Sequence, residues 1–264
     1  MTQQQSHPIG EQFGGIPLRL PQVAASLDQN EEWCEARIGN QWRRIRLHDY
    51  GEIYNVPNLY ESLFPRRLKC CSPERVVGLL EEVLSDFTQD MDDLRVLDMG
   101  AGNGMVADQL RRSGVKTIYG VDILPEARSA ARRDRPRAYN DYFVCDLTES
   151  EHADFGQLKA AHLNTLVTVA ALGYDDIPTK AFIQACNLIE SPGWLAFNIK
   201  ETFLDEDADQ TGFCALVRRL RRQGYIQVQA YRRYRHRLSV TGTPLYYIAM
   251  VATKRKPIPV SMLP

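Results

Sequence analysis

The sequence predicts an α/β fold in which a mostly parallel sheet carries helices on both faces. Three observations predict it. Strand and helix patterns alternate from about residue 94 onward. A glycine-rich turn sits where the first of those strands should hand over to a helix. The last two strands are joined by a loop too short for a helical crossover, so that pair should run antiparallel.

Taken in order, residues 1–30 are polar, with scattered Gly and Pro. Residues 33–47 read as a hairpin: Cys34, Ala36 and Ile38 alternate before Gly39-Asn40, and Ile45 and Leu47 alternate after it. An aromatic-rich stretch follows, from Tyr50 to Phe64. Ser72-Pro73-Glu74 then signals a helix start, with Ser as N-cap, Pro at the first position and an acid in the first turn. Val76, Val77, Leu80, Val83, Leu84 and Phe87 supply its apolar face.

Strands are predicted at 94–99, 117–122, 141–146, 164–171 and 193–199. Helical patterns lie between them, near 103–113, 125–134, 149–161 and 178–189. A further helix spans about 211–223 and stops at Gly224, with strands near 225–232 and 245–253 after it. The expected division is an N-terminal appendage over 1–71, a ligand-binding domain over 72–256 and a C-terminal tail over 257–264.

Composition bounds the class. Of 264 residues, 25% are charged and 44% apolar, which excludes a collagenous chain, a membrane bundle and wholesale disorder. No run approaches 18 apolar residues, so no membrane partner is expected. The start of the chain has neither a positive n-region nor an apolar h-region, and the six cysteines form no C-x-x-C pair; both point to a cytoplasmic location. No His, Cys or Asp cluster has metal-ligand spacing, so no metal is expected. The net charge of −1 hides an asymmetry: residues 211–264 carry eleven bases and no acid, and the body before them carries a net charge of −12.

The turn itself reads Asp98-Met99-Gly100-Ala101-Gly102-Asn103-Gly104. A dinucleotide fingerprint would need Gly or Ala at position 105, where Met105 stands. Asp98, two residues before the first glycine, would repel a pyrophosphate and attract a cationic ligand. Asp122 closes the second strand, 22 positions after Gly100, where a carboxylate can take both hydroxyls of a ribose; Asp146 closes the third. Three acids at successive strand ends suit a ligand lying across the carboxyl edge of an open sheet. S-adenosylmethionine has the required ammonium, sulfonium and adenosine.

At these residues the chain resembles the class I S-adenosylmethionine-dependent methyltransferases over about residues 73–253. RVLDMGAGNGMVADQL is similar to the family's first motif, YGVDILPEAR to the second and YFVCDL to the third. VAALGYDDIP also resembles the methyltransferase-like group of the Williams–Beuren region. The resemblance implies a Rossmann-like seven-stranded mixed sheet, order 3-2-1-4-5-7-6 with the last strand antiparallel. It implies that Asp98, Gly100, Gly102 and Gly104 face the methionine part of the cofactor and that Asp122 holds the ribose. Ile123, Asp146 and Leu147 would surround the adenine. The Asn/Asp-Pro-Pro-Tyr motif of enzymes that methylate amino groups is replaced by Ala171-Leu172-Gly173-Tyr174, which argues against exocyclic amines of bases.

The acceptor end is expected from three places: Tyr174-Asp175-Asp176 after the fourth strand, Lys200-Glu201 after the fifth, and the N-terminal aromatics, with Tyr54 and Tyr60 as binding candidates beside Tyr50 and Phe64. Tyr174, Asp175 and His236 are the weak catalytic candidates, since methyl transfer needs a base only where the nucleophile must lose a proton. His48 reads as structural or exposed. Arg232, Arg233, Arg235 and Arg237 fall at the end of the penultimate strand and in its loop, where Arg233 and Arg235 could clamp an anion. The sequence thus points first to methyl transfer onto a small molecule, with an anionic one in view. Methylation of RNA or protein and non-catalytic cofactor binding stand as alternatives. Nucleic acid is the less favoured partner, and a homodimer is left open.

Overall fold

The computed structural model describes residues 15–22, 27–149, 154–173, 176–204 and 209–264. A seven-stranded sheet forms its centre: β4 (Arg95–Met99), β5 (Thr117–Asp122), β6 (Asp141–Val144), β7 (Thr165–Thr168), β8 (Gly193–Lys200), β9 (Ile226–Leu238) and β10 (Pro244–Lys254). Three strands precede it, β1 (Leu18–Arg19), β2 (Trp33–Ile38) and β3 (Gln41–Arg46), and form a separate antiparallel sheet. The central order is β6-β5-β4-β7-β8-β10-β9, with β10 antiparallel to both neighbours. This is the predicted order. It arises because β9 and β10 form a hairpin that inserts its second strand beside β8.

Helices cover both faces. The helices α3 (Ser72–Asp86) and α4 (Met105–Arg112) bury Val76, Leu80, Val106 and Leu110 against Val96, Ile118 and Val251. Two further helices, α5 (Pro125–Asp134) and α6 (Asp154–Ala160), follow β5 and β6. On the other face α7 (Thr179–Leu188) and α8 (Phe213–Arg222) pack Phe182, Ile183, Phe213 and Leu216 on Leu97, Leu166 and Phe197. The parallel strands are buried on both sides, so they read as continuous apolar runs rather than alternating ones. The N-terminal helices α1 (Tyr50–Asn55) and α2 (Leu59–Glu61), with the π-turn Ser62–Arg67 after them, pack against the hairpin around Ile53, Leu59 and Leu63. Among the described residues no helix is long and apolar enough to cross a membrane.

Three elements differ from the sequence expectation, each for a packing reason. Ser72 lies inside α3 and makes no cap; its hydroxyl is committed to Tyr234 Oη and His236 Nδ1, both at 2.6 Å. Phe87 ends the helix exposed, edge-on to Trp194 with centroids 5.2 Å apart. The penultimate strand runs on to Leu238, so Arg232, Arg233, Arg235 and Arg237 lie on the strand and not in a loop. Pairing with β10 continues through a bulge in which His236 is the extra residue between the pairs Tyr246–Arg235 and Leu245–Arg237. The bulge turns two successive side chains, His236 and Arg237, inward.

The charge asymmetry resolves within the chain. Arg232 meets Glu82, Arg233 meets Glu201 and Arg237 meets Glu32, each pairing a C-terminal base with an acid of the body. Buried Lys254 donates to the carbonyls of Cys186 and Ile189 at the end of α7.

Candidate functional site

Strand order reverses between β4 and β7, and the ligand crevice of an open α/β sheet lies at such a point, outside the carboxyl ends of the strands. A cavity of about 500 Å³ opens there, within the range of small-molecule sites. Two groups of residues wall it. Met99, Gly100, Asp122, Ile123, Asp146 and Leu147 come from the strand ends. The N-terminal segment and the last hairpin close the other side.

Gly100, Gly102 and Gly104 all have left-handed φ, of +69°, +51° and +86°. Each is also required by a neighbour. A Cβ on Gly100 would meet Ala171 Cβ at 2.8 Å, one on Gly102 would meet Tyr54 Oη at 2.5 Å, and one on Gly104 would meet the Tyr139 ring at 3.2 Å. The turn is pinned from behind: Tyr139 Oη donates to Asp98 Oδ2 (2.7 Å) and to the Ala101 carbonyl (3.1 Å), and Tyr142 Oη donates to the Gly102 carbonyl (2.9 Å).

Asp122 is shaped for a ligand. Its Oδ2 accepts the Gly102 N–H at 2.9 Å and its Oδ1 accepts the Leu124 N–H at 3.0 Å, so the carboxylate is held rigidly while it lines the cavity. Burial raises its pKa. Ile123 beside it is 60% exposed on the cavity rim, where an apolar side chain gains nothing unless something covers it. Asp146 also lines the cavity and accepts the Thr148 N–H at 2.7 Å. Leu147 completes that wall.

Asp98 differs from expectation in position. It is fully buried behind the turn and is not part of the cavity lining. Burial raises its pKa to about 7, against the opposing hydrogen bond from Tyr139. Its Oδ1 has no partner. A buried carboxylate oxygen without a donor at the first strand's end fits a cationic ligand above the turn better than a phosphate. With Asp122 and Ile123, these features fit S-adenosylmethionine.

The expected acceptor residues separate into two sets. Tyr54 and Tyr60 line the cavity with Tyr50 and Phe64, in one aromatic cluster whose ring centroids are 4.6–6.3 Å apart. Tyr54 Oη lies directly over Gly102. His236 lines the cavity, 4.1 Å from Tyr247 between ring centroids, and burial drives its pKa well below 6.5, so it is neutral. Lys200, Arg233 and Arg235 are not in the lining. Arg233 is exposed, bound to Glu201 and stacked 3.7 Å over Tyr246; Arg235 is exposed on the same strand. Tyr174 and Asp175 lie outside the described residues. Arg237 does line the cavity, but Glu32 holds its guanidinium at 2.5 Å in a fully buried pair.

Several lining residues carry no sequence signal of their own. Gln29, His48, Cys70 and Tyr247 reach the cavity only because the N-terminal sheet and the last hairpin fold across it. Gln29 donates to Tyr247 Oη at 3.0 Å, joining the two. The inward turn of His236 and Arg237 depends on the bulge, which strict alternation does not foresee.

Comparison with known proteins agrees with this geometry. Residues 67–239 match the family model described as a methyltransferase domain. Curated relatives include ribosomal protein L11 methyltransferases. The one from Psychrobacter sp. is 25% identical over 130 residues, covering 44% of this chain and 42% of the relative. The one from Porphyromonas gingivalis is 29% identical over 119 residues, covering 43% and 40%. The match therefore spans less than half the length of these relatives. Among solved structures, the N-methyltransferase NodS from Bradyrhizobium japonicum, in complex with S-adenosyl-L-homocysteine, shares the fold with a TM-score of 0.52 at 13% identity, covering 78% of this chain and 97% of that one.

Proposed function

This chain belongs to the methyltransferase-domain family, and from that premise we propose that it transfers a methyl group from S-adenosylmethionine to a small acceptor. The observation that carries the reading is the continuous wall Gly100–Asp122–Ile123–Asp146–Leu147 on one cavity at the sheet's switch point. Asp122 takes the ribose hydroxyls. Ile123 and Leu147 flank the adenine, with Asp146 at its edge. The opened backbone of Gly100 and Gly102 receives the methionine end, and Tyr54 closes over it. S-adenosylmethionine supplies an electrophilic methyl on a sulfonium; the chain's own task is to align the acceptor with it and exclude water.

The acceptor we favour is neutral or cationic rather than anionic. Arg233 and Arg235, on which an anion clamp was expected, lie outside the cavity, and Arg237 is neutralised by Glu32. The remaining charged lining is acidic: Asp49, Asp122, Asp146 and Asp176. Aromatic rings make up the rest of the acceptor end, which suits a compact, partly apolar molecule. The likeness to enzymes named for ribosomal protein L11 supports a second reading, a protein acceptor whose side chain enters the same mouth. Six free cysteines support a reducing compartment, and we place the protein in the cytoplasm.

Calorimetry with S-adenosyl-L-homocysteine tests the first step: binding is expected, and tighter binding of NADH would refute the reading. Labelled methyl transfer to pooled small molecules, against ribosomal protein extract, separates the two acceptor classes.

A further inference from the structure

His236 stands near the carboxyl end of β9. That strand is parallel to β8, since both run antiparallel to β10, so this end opens on the sheet edge that carries Gly100 and Asp122. The residue is 4% exposed and lines the cavity. A chain of hydrogen bonds behind the ring decides which of its nitrogens carries the proton.

The chain starts at a group that can only donate. The Ala170 N–H lies 2.6 Å from Asn198 Oδ1, so the other end of this fully buried amide is its NH2 group. Asn198 Nδ2 donates to Tyr234 Oη at 2.6 Å and to Ser72 Oγ at 3.2 Å. Tyr234 Oη lies 2.6 Å from Ser72 Oγ, and Ser72 Oγ lies 2.6 Å from His236 Nδ1. The Tyr234 hydroxyl accepts from Asn198 and has its own proton to place; Ser72 Oγ is the acceptor within reach. Ser72 then accepts twice, from Tyr234 and Asn198, and its proton goes to His236 Nδ1. The reverse direction strands the Tyr234 proton in a buried site. Cys70 Sγ, 3.9 Å from Nδ1, is too distant to compete. Burial and the neighbouring Arg237 guanidinium keep the ring uncharged. Nδ1 is therefore a lone pair engaged from behind, and the proton sits on Nε2.

That nitrogen opens on the cavity. Among the described residues, the buried side-chain polar atoms without a partner are Glu61 Oε2, Asp98 Oδ1 and Thr168 Oγ1. His236 Nε2 makes no hydrogen bond to the described residues and is not one of those atoms, so it has free surface in the wall that the ring helps to form.

We propose that His236 is a fixed hydrogen-bond donor for the methyl acceptor, not a base, and that the acceptor offers its Nε2–H an uncharged oxygen: a carbonyl, an ether or a hydroxyl. This rests on the methyl-transfer reading above. A ring with Nδ1 engaged and Nε2 protonated has no lone pair to take a proton from the nucleophile. A donor set into a wall also discriminates, because a molecule without a matching oxygen leaves the Nε2–H unpaired. The charges around it select an uncharged oxygen over a carboxylate. Glu32 already neutralises Arg237, and Asp49, Asp122, Asp146 and Asp176 line the same cavity.

Nitrogen-15 spectra of the imidazoles in the intact protein test the donor without the acceptor. At neutral pH His236 should be uncharged, with its proton on Nε2. Asn198→Asp puts a carboxylate oxygen where the NH2 group was. The Tyr234 and Ser72 protons should then turn toward it, and the His236 proton should move to Nδ1. A wild-type ring protonated on Nδ1, or on both nitrogens, would overturn the proposal. So would an unchanged ring in folded Asn198→Asp protein, at a pH where carbon-13 spectra show the new carboxylate ionised. Calorimetry with S-adenosyl-L-homocysteine keeps the two readings apart. If the wild type does not bind, the methyl-transfer reading fails, whatever the imidazole spectra show. If it binds and His236→Phe weakens binding tenfold or more, His236 serves the cofactor and this proposal fails. The expected result is unchanged affinity in His236→Phe. Its kcat/KM, for acceptors found by labelled transfer to pooled small molecules, should fall about tenfold, mainly through KM. His236→Gln, whose amide donates from a similar position and cannot act as a base, should recover most of that loss; a Gln variant as poor as the Phe variant contradicts the donor role.

Discussion

Glu32→Ala is the most informative perturbation of the scaffold, because Glu32 ties the N-terminal segment to the last hairpin by a buried ion pair. Glu32 is 0% exposed and its partner Arg237 is 3% exposed. Its Oε2 accepts from Arg237 Nη2 at 2.5 Å and its Oε1 accepts the Val240 N–H at 2.7 Å. Truncation leaves a buried guanidinium without a counter-charge and a buried backbone donor without an acceptor. Breaking a buried pair from one side costs about 3–5 kcal/mol. At about 2–4 °C per kcal/mol for a chain of this size, the midpoint should fall by about 6–20 °C. Thermal unfolding followed by circular dichroism, with urea titration for the free energy, measures it. Replacing both partners, Glu32→Leu with Arg237→Leu, removes the stranded charge and should recover most of the loss. Glu82→Gln is the control: it breaks the exposed pair with Arg232 and should leave the midpoint unchanged. A loss below about 1 kcal/mol in Glu32→Ala, or a double variant as unstable as the single, would refute the argument from buried charge.

Asp122→Ala should weaken S-adenosyl-L-homocysteine binding by calorimetry by about 10–100-fold, the worth of charge-assisted hydrogen bonds, and Asp122→Asn, which keeps one of the two oxygens that accept the Gly102 and Leu124 N–H groups, should weaken it less. Gly102→Ala should cost about 1–2 kcal/mol from its left-handed backbone alone, and Tyr54→Phe should partly relieve the added clash in a double-mutant cycle of urea stabilities. Asn198→Leu removes the acceptor of the Ala170 N–H at 2.6 Å and the donor to Tyr234 Oη at 2.6 Å, both behind the cavity wall that Ala170 lines, and should cost about 2–3 kcal/mol by the same titration. Asp98 carries a pKa raised from 3.8 to about 7, so the folded state binds its proton more tightly than the unfolded state. Its contribution is fully present below about pH 4 and is lost as pH rises toward 7; Asp98→Asn should flatten that part of the stability–pH curve, and an unchanged slope would contradict the assignment.

The cavity wall built from the strand ends was legible because its signals are local. Gly100, Asp122 and Asp146 announce themselves by residue type at a strand end, and periodicity places the strand ends on one edge. Asp98 shows the limit of that logic: the right residue at the right spacing lies behind the turn, because Tyr139, 41 positions on, takes its carboxylate. The opposite wall was poorly legible. The eleven C-terminal bases invite an anionic partner until the fold pairs Arg232, Arg233 and Arg237 with Glu82, Glu201 and Glu32.

By itself, then, the sequence determined the order of strands and helices, the buried faces and the strand-end carboxylates, since period and turn chemistry act over a few residues. Only the tertiary structure decided what lines the cavity opposite the strand ends. The bulge at His236 and the contact of His48 with Asp176 both join segments far apart in the chain. Such contacts leave no local pattern, because they depend on how two separately formed sheets close over one cavity.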